Sequence, residues 1–183
     1  MIGRAEILAW LRETDPTRLS RLYRRADAVR REHVGDEVHL RGLVEVSNHC
    51  VRRCAYCGIA ATNGGVERYR MTEDEVVACA RQAVELGYGT VVLQAGEDYG
   101  LTRDGVVTMV CAIKRETGLA VTLSLGERPE EELAAWREAG ADRYLLRFET
   151  SDPALYEAIH PAVPGRPDRF ALLGRLAVLG YEV

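Results

Sequence analysis

From Arg41 onward the sequence repeats one pattern. A stretch with apolar residues at helical spacing ends at a glycine. A short run rich in Val, Leu and Thr follows, and an acidic residue stands at or just past its end. Gly87 leads to a run over 90–94 and then Glu97. Gly118 leads to 120–125 and Glu127, and Gly140 to 143–148 and Glu149. Helix-then-strand alternation predicts a parallel sheet wound with right-handed crossovers. It therefore predicts an α/β fold of the (β/α)-barrel type, in which ligands bind at the C-terminal edge of the strands. The three glutamates all fall on that edge.

The elements can be bounded from local chemistry. Residues 42–47 read as a first strand. Thr72-Glu73-Asp74-Glu75 has the form of a capping box, opening a helix with Val76, Val77, Ala80, Ala83 and Val84 on its apolar side. A helix over 102–117 carries Val106, Met109, Val110 and Ile113, and one over 129–139 carries Leu133 and Trp136. Residues 152–159 and 168–179 also read as helices. Cys79 and Cys111 lie within two of these helices and read as core packing. Gly180-Tyr181-Glu182-Val183 resembles the start of a fifth strand. About four β/α units are present where a closed barrel has eight. Residues 41–183 are therefore expected to form the N-terminal half of a barrel, within a truncated or partial sequence.

Residues 1–40 read as a separate helical extension. Ile7, Leu8 and Leu11 share a face of a short helix. Asp15-Pro16 marks the start of a second, with Asp as N-cap and Pro in the first turn. Its six arginines, 18, 21, 24, 25, 30 and 31, are interrupted by Asp27 and Glu32, which favours a solvated face over an RNA-binding one.

Composition excludes whole classes. With 47% apolar and 28% charged residues over 183 positions, wholesale disorder is excluded. A net charge of −4 argues against a mainly electrostatic nucleic-acid or anionic-membrane binder. No apolar run approaches the ~20 residues that span a bilayer, and no export signal is read at the N-terminus. The five cysteines lack the dispersed even framework of a secreted disulfide protein, so a cytoplasmic location is expected.

Three of those cysteines form Cys50-x3-Cys54-x2-Cys57 on the loop after the first strand. Three thiolates on one loop suit three corners of a [4Fe–4S] cubane and leave the fourth iron open. Rival readings are a zinc site completed by His49 or another histidine, a Cys54–Cys57 redox dithiol, and inert buried thiols. The zinc reading makes adjacent His49 and Cys50 share one tetrahedron, and the dithiol reading leaves Cys50 without a role. His33, His39 and His160 have no motif context and are expected to be surface or structural.

The cysteine motif, with an aromatic before its last member, resembles the radical S-adenosylmethionine superfamily. The strings Tyr56-Cys57-Gly58, Arg68-Tyr69-Arg70-Met71-Thr72, Gln94-Ala95-Gly96-Glu97-Asp98, Val121-Thr122-Leu123-Ser124-Leu125-Gly126-Glu127 and Arg143-Tyr144-Leu145-Leu146-Arg147 narrow the likeness. They resemble the HydE family of [FeFe]-hydrogenase radical maturases and its relatives, biotin synthase and methylornithine synthase. This resemblance implies a [4Fe–4S] cluster on Cys50, Cys54 and Cys57. It also implies reductive cleavage of S-adenosylmethionine to a 5′-deoxyadenosyl radical during assembly of the diiron subcluster. Tyr56 would lie against the adenine, Gly96 and Glu97 would meet the methionine amino group, Glu149 the ribose hydroxyls, and Arg169 the methionine carboxylate. Glu127 has a weaker claim beside a helix-start role. Arg41, Thr122 and Arg147 would point into the barrel toward an anionic substrate. Implied partners are a small-molecule or organometallic substrate, an electron donor, the maturation scaffold and the second radical maturase. Phe148 and Ala95 stand where the family usually has His and Ser. Sulfur insertion and amino-acid rearrangement are the alternative radical chemistries, and a non-enzymatic zinc-binding or interaction domain is the alternative of another class.

Overall fold

The computed structural model describes residues 2–161 and 168–183. The chain divides into two compact units, Met1–His39 and Leu40–Val183. The first contains α1 (Arg4–Leu11) and α2 (Pro16–Val34). Asp15 caps α2 by accepting from the Thr17 amide, with Pro16 in the first turn. Several of its arginines find carboxylates within the unit: Arg18 pairs with Glu13, and Arg30 and Arg31 share Asp27 and Asp36.

The second unit runs β1 (Gly42–Ser47), α3 (Glu73–Glu85), β2 (Thr90–Ala95), α4 (Arg103–Thr117), β3 (Ala120–Ser124), α5 (Glu130–Glu138), β4 (Arg143–Tyr144), α6 (Pro153–Ile159) and α7 (Arg169–Val178). The four strands form one parallel sheet in the order β1-β2-β3-β4. The expected α/β architecture, a part of a (β/α) barrel, is what the chain adopts. The Thr72–Glu75 capping box is formed in full, and Gly87 and Gly118 follow their helices with positive φ.

Strand register separates the two faces of the sheet. Val44, Leu93, Leu123 and Tyr144 are neighbours in one row, and all are buried beneath the helices. They pack with Val76 and Ala80 of α3, Val110 and Ile113 of α4, Leu133 and Trp136 of α5, and Leu176 of α7. Each large aliphatic or aromatic side chain buried here contributes about 1.5–3 kcal/mol. The adjacent row, Leu43, Val92, Thr122 and Arg143, lies on the opposite face, which is the inner face in a closed barrel.

Two expectations are corrected. The strand read over 143–148 has only two residues in the ladder. Leu145 still donates to the Leu123 carbonyl, but the chain then leaves the sheet, and Glu149 adopts φ 61°. Cys111 is exposed rather than packed in the core. The buried stripe of α4 is Val106, Met109, Val110 and Ile113, and Cys111 falls beside it. Cys79 is half-buried against the core. Residues 180–183 do continue the sheet: Glu182 bridges Arg143 in parallel, next to β4. No helix among the described residues is long and apolar enough to cross a membrane.

Candidate cofactor site

β1 delivers the cysteine loop to the C-terminal edge of the sheet. A register shift between Glu45 and Ser47 turns both Val46 and Ser47 inward. Asn48 then exchanges hydrogen bonds with the returning chain: its amide group donates to the Glu67 carbonyl and its side-chain oxygen accepts from the Tyr69 N–H. Arg68 holds the loop closed. Its Nη1 donates to the carbonyls of Asn48 and Ile59, and its Nη2 to those of Ala60 and Asn63. Within this frame Cys50, Cys54 and Cys57 stand outside any disulfide, each partly buried. A turn donates the Cys57 N–H to the Cys54 carbonyl, and the Ala55 N–H reaches the Ile159 carbonyl at the end of α6.

The loops after β2 and β3 close on the cysteine loop. A β-carbon on Gly96 would lie 2.3 Å from the His49 carbonyl oxygen and 2.6 Å from the Cys50 Cβ, so only glycine permits this approach. Glu97 and Glu127, from separate strand ends, are both buried and share the Arg52 guanidinium. Glu97 also accepts from the Tyr99 hydroxyl at 2.8 Å, and Glu127 pairs with Arg169. Glu127 is thus a member of an ion-pair network and not a helix-start carboxylate; α5 begins at Glu130, after Pro129.

Asp98 anchors the same edge. It is buried, and it accepts from Ser47 Oγ at 2.6 Å, from Arg70 through two nitrogens at 2.8 Å, and from the Gly100 N–H. Burial acts to raise its pKa. The hydrogen bonds, from Arg70 first and then Ser47 and Gly100, outweigh burial and hold the carboxyl at about 2.

Tyr56, Glu149 and Arg169 come from distant strings and meet on one side of the loop. The Tyr56 phenol is pushed well above its ordinary range by burial, then by the Glu149 carboxylate and Cys54, with Arg169 opposing. Its hydroxyl lies 2.9 Å from His160 Nε2. His160 Nδ1 is 3.2 Å from the Tyr156 carbonyl, which can only accept. In that contact Nδ1 is the donor. His160 is buried and stacked 4.3 Å from Tyr156.

The residues expected to face the substrate are not gathered together. Thr122 is buried, and its Oγ1 has no hydrogen-bond partner among the described residues. Arg147 is exposed, and its carbonyl accepts from Arg169. Arg41 is exposed and precedes β1, at the sheet edge opposite the cysteine loop. Phe148 lies against Phe170, with centroids 6.2 Å apart. The anchoring roles of Arg52, Arg68 and Asp98 were not read from the sequence. The signal available was charge: a cationic residue between two cysteines and an Arg-x-Arg following the loop.

The donor set fits an iron–sulfur cluster. Among the described residues no three His, Cys, Asp or Glu side chains converge closely enough to ligate a single ion. A cubane takes one thiolate at each of three separate corners, which asks for three cysteines outside any disulfide on one loop, as here. The superfamily model matches residues 44–182, which is most of the chain and includes the whole site. This chain belongs to the radical SAM superfamily. The radical SAM assignment implies a [4Fe–4S] cluster and S-adenosylmethionine in general terms.

Individual relatives agree with it. The chain is 48% identical over 161 residues to the [FeFe] hydrogenase maturase subunit HydE of Thermotoga maritima, covering 88% of this chain and 46% of that protein. It is 32% identical over 143 residues to 3-methylornithine synthase of Methanosarcina acetivorans, covering 77% and 41%. Among solved structures, methylornithine synthase (PylB) superposes with a TM-score of 0.86 at 27% identity, covering 99% of this chain and 54% of that one. HydG, a maturase of the [FeFe]-hydrogenase, gives 0.84 at 25% identity, covering 93% and 40%. The chain spans about half the length of the curated relatives it matches.

Proposed function

We propose that this radical SAM chain is the N-terminal part of a HydE-type maturase acting in assembly of the [FeFe]-hydrogenase diiron subcluster. The observation that carries the reading is a loop of three cysteines outside any disulfide, clamped at the C-terminal strand edge, in a chain 48% identical to HydE. Cys50, Cys54 and Cys57 would hold a [4Fe–4S] cluster. Such a cluster, when bound with S-adenosylmethionine, supplies the electron that generates the 5′-deoxyadenosyl radical.

The protein's part is binding and orientation. Gly96 admits a close approach of backbone to the loop, and the Gly96–Glu97 turn would receive the methionine amino group. Arg169 offers a planar cation suited to a carboxylate. The Glu149 carboxylate suits two vicinal ribose hydroxyls. Tyr56, whose hydroxyl lies 2.9 Å from His160 Nε2, would lie against the adenine. Thr122, on the inner face of the sheet, has an unused hydroxyl for a substrate, and Arg147 follows on the same edge. Arg41, at the other edge, has no supporting geometry for a substrate role. Cysteines that must stay reduced suit the cytoplasm. Partners in this reading are a small-molecule or organometallic substrate, an electron donor, the scaffold and the second radical maturase.

The test is anaerobic reconstitution of the whole protein with iron and sulfide, followed by dithionite and S-adenosylmethionine. Release of 5′-deoxyadenosine and restored hydrogenase activity in a maturase-deleted cell are expected. The structural likeness to methylornithine synthase favours amino-acid rearrangement as the second reading. Nucleoside release without restoration would select it. Iron-free protein carrying one zinc would overturn both.

A further inference from the structure

Arg52, the middle residue between the first two cysteines, uses each of its polar groups on a different part of the site. Its amide N–H donates to Cys50 Sγ at 3.4 Å. Its carbonyl accepts from the Ala61 N–H at 2.7 Å, across the loop. Its guanidinium reaches Glu97 through Nε at 2.9 Å and Nη2 at 2.7 Å, and Glu127 through Nη2 at 3.0 Å. The Arg52 side chain is 12% exposed, and those of Glu97 and Glu127 are 3% and 1% exposed. The flanking residues Val51 and Arg53 are exposed. Arg52 alone of the three turns into the protein, where it joins the cysteine loop to the ends of β2 and β3.

The arrangement has two physical consequences. An Arg fork shared by two buried carboxylates is rigid, so it fixes the loop where Cys50 meets Gly96. A buried cation and an N–H aimed at a ligating sulfur also stabilise added negative charge, which raises a cluster's reduction potential. Without Arg52, Glu97 keeps, among the described residues, its Tyr99 hydroxyl and Glu127 N–H donors, and the site gains net negative charge.

We infer that Arg52 is a positioning residue that locks Cys50 onto the strand edge and makes the cluster easier to reduce. The inference rests on the cluster reading only for its second half.

The test uses the full chain with Arg52→Met and Arg52→Lys. In the metal-free, reduced form, each thiol is labelled with iodoacetamide and quantified by peptide mass spectrometry. Cys111, exposed on α4, is the internal reference. Freeing the loop in R52M is expected to speed Cys50 labelling relative to Cys111 by about tenfold, as for loss of a local closing interaction. In the reconstituted form, one electron per cluster is supplied by dithionite and followed by its spin signal. At fixed ambient potential the reduced-to-oxidised ratio in R52M is expected to fall about tenfold, equivalent to ~59 mV for a one-electron couple. R52K, which keeps the charge and loses the fork, should recover most of the ratio but little of the protection. Wild-type labelling ratios in both variants, with an unchanged reduced fraction, would overturn the inference. Should R52M fail to fold, unchanged Cys50 labelling in R52K overturns it alone. A wild-type chain that takes up no iron sinks the cluster reading, while the labelling result still decides whether Arg52 holds the loop.

Discussion

Gly96 and Cys50 pack so closely that a β-carbon on the glycine would fall 2.6 Å from the cysteine's own β-carbon and 2.3 Å from the preceding carbonyl oxygen. Both obstacles are attached to the cysteine loop's backbone, so neither can swing aside. Gly96→Ala is therefore expected to displace the loop. Overpacking of this kind costs about 1–3 kcal/mol. The fold should survive by far-UV circular dichroism, while iron per chain after reconstitution drops severalfold. Wild-type iron content in G96A would refute the packing argument.

The same loop depends on one guanidinium at its other end. Arg68 serves four carbonyls from two nitrogens, with contacts of 2.5, 2.9, 2.9 and 3.2 Å. A lysine ammonium is a single point and cannot span them. Arg68→Lys is expected to cost about 2 kcal/mol in unsatisfied acceptors. At about 2–4 °C per kcal/mol for a chain of this size, the unfolding midpoint should fall by several degrees. Thermal denaturation of the apo chain checks this, and an unchanged midpoint would count against Arg68 as the loop's clasp.

Asp98 gives the acid limb of stability a specific origin. Its pKa is held at about 2 in the folded chain, below the ordinary 3.8. The folded state therefore binds the proton less readily than the unfolded one. The resulting stability is complete above about pH 5 and is lost as pH falls toward 2. The shift is worth on the order of 2 kcal/mol. Asp98→Asn should lower stability at neutral pH and flatten its dependence between pH 5 and 2. Denaturant titrations at three pH values measure it.

Each of Cys50, Cys54 and Cys57 changed to Ala should reduce iron content and abolish nucleoside release from the whole protein. Cys79→Ala and Cys111→Ala should retain both. Equal iron loss in the Cys111 variant would place the metal elsewhere.

The capping box at α3 has a smaller, local effect. Thr72→Ala removes the acceptor for the Glu75 amide and is expected to cost about 1 kcal/mol. Chemical denaturation of the chain measures it, with no change expected in iron content.

Elements with a strong local signature were legible in the sequence. The Thr72 box, Asp15-Pro16 and the post-helix glycines mark boundaries because their chemistry acts within one turn. The parallel pairing of the strands followed from the alternation. Legibility failed where the outcome depends on which distant groups meet. Arg52 lies 45 residues from Glu97 and 75 from Glu127, so the network exists only once two later strands are laid down. For the same reason Glu127, beside Pro129, read equally well as a helix-start residue. Cys111 was misread because it adjoins a true core stripe, and a one-residue step around a helix turns a side chain about 100°. The run over 143–148 has the composition of a longer strand, yet the departure of its end from the ladder is set by partners, such as Arg169, that lie beyond it.

Because each strand pairs with the one that precedes it in the chain, the sheet can be assembled in the order in which the ribosome releases it. The thiol loop emerges early, between the first and second strands, whereas Glu97 and Glu127 arrive two and three strands into synthesis. Iron delivered to the nascent polypeptide would meet three cysteines without their clamp. If the three cysteines hold a cluster, as proposed, their clamp would be complete only after release of the third strand.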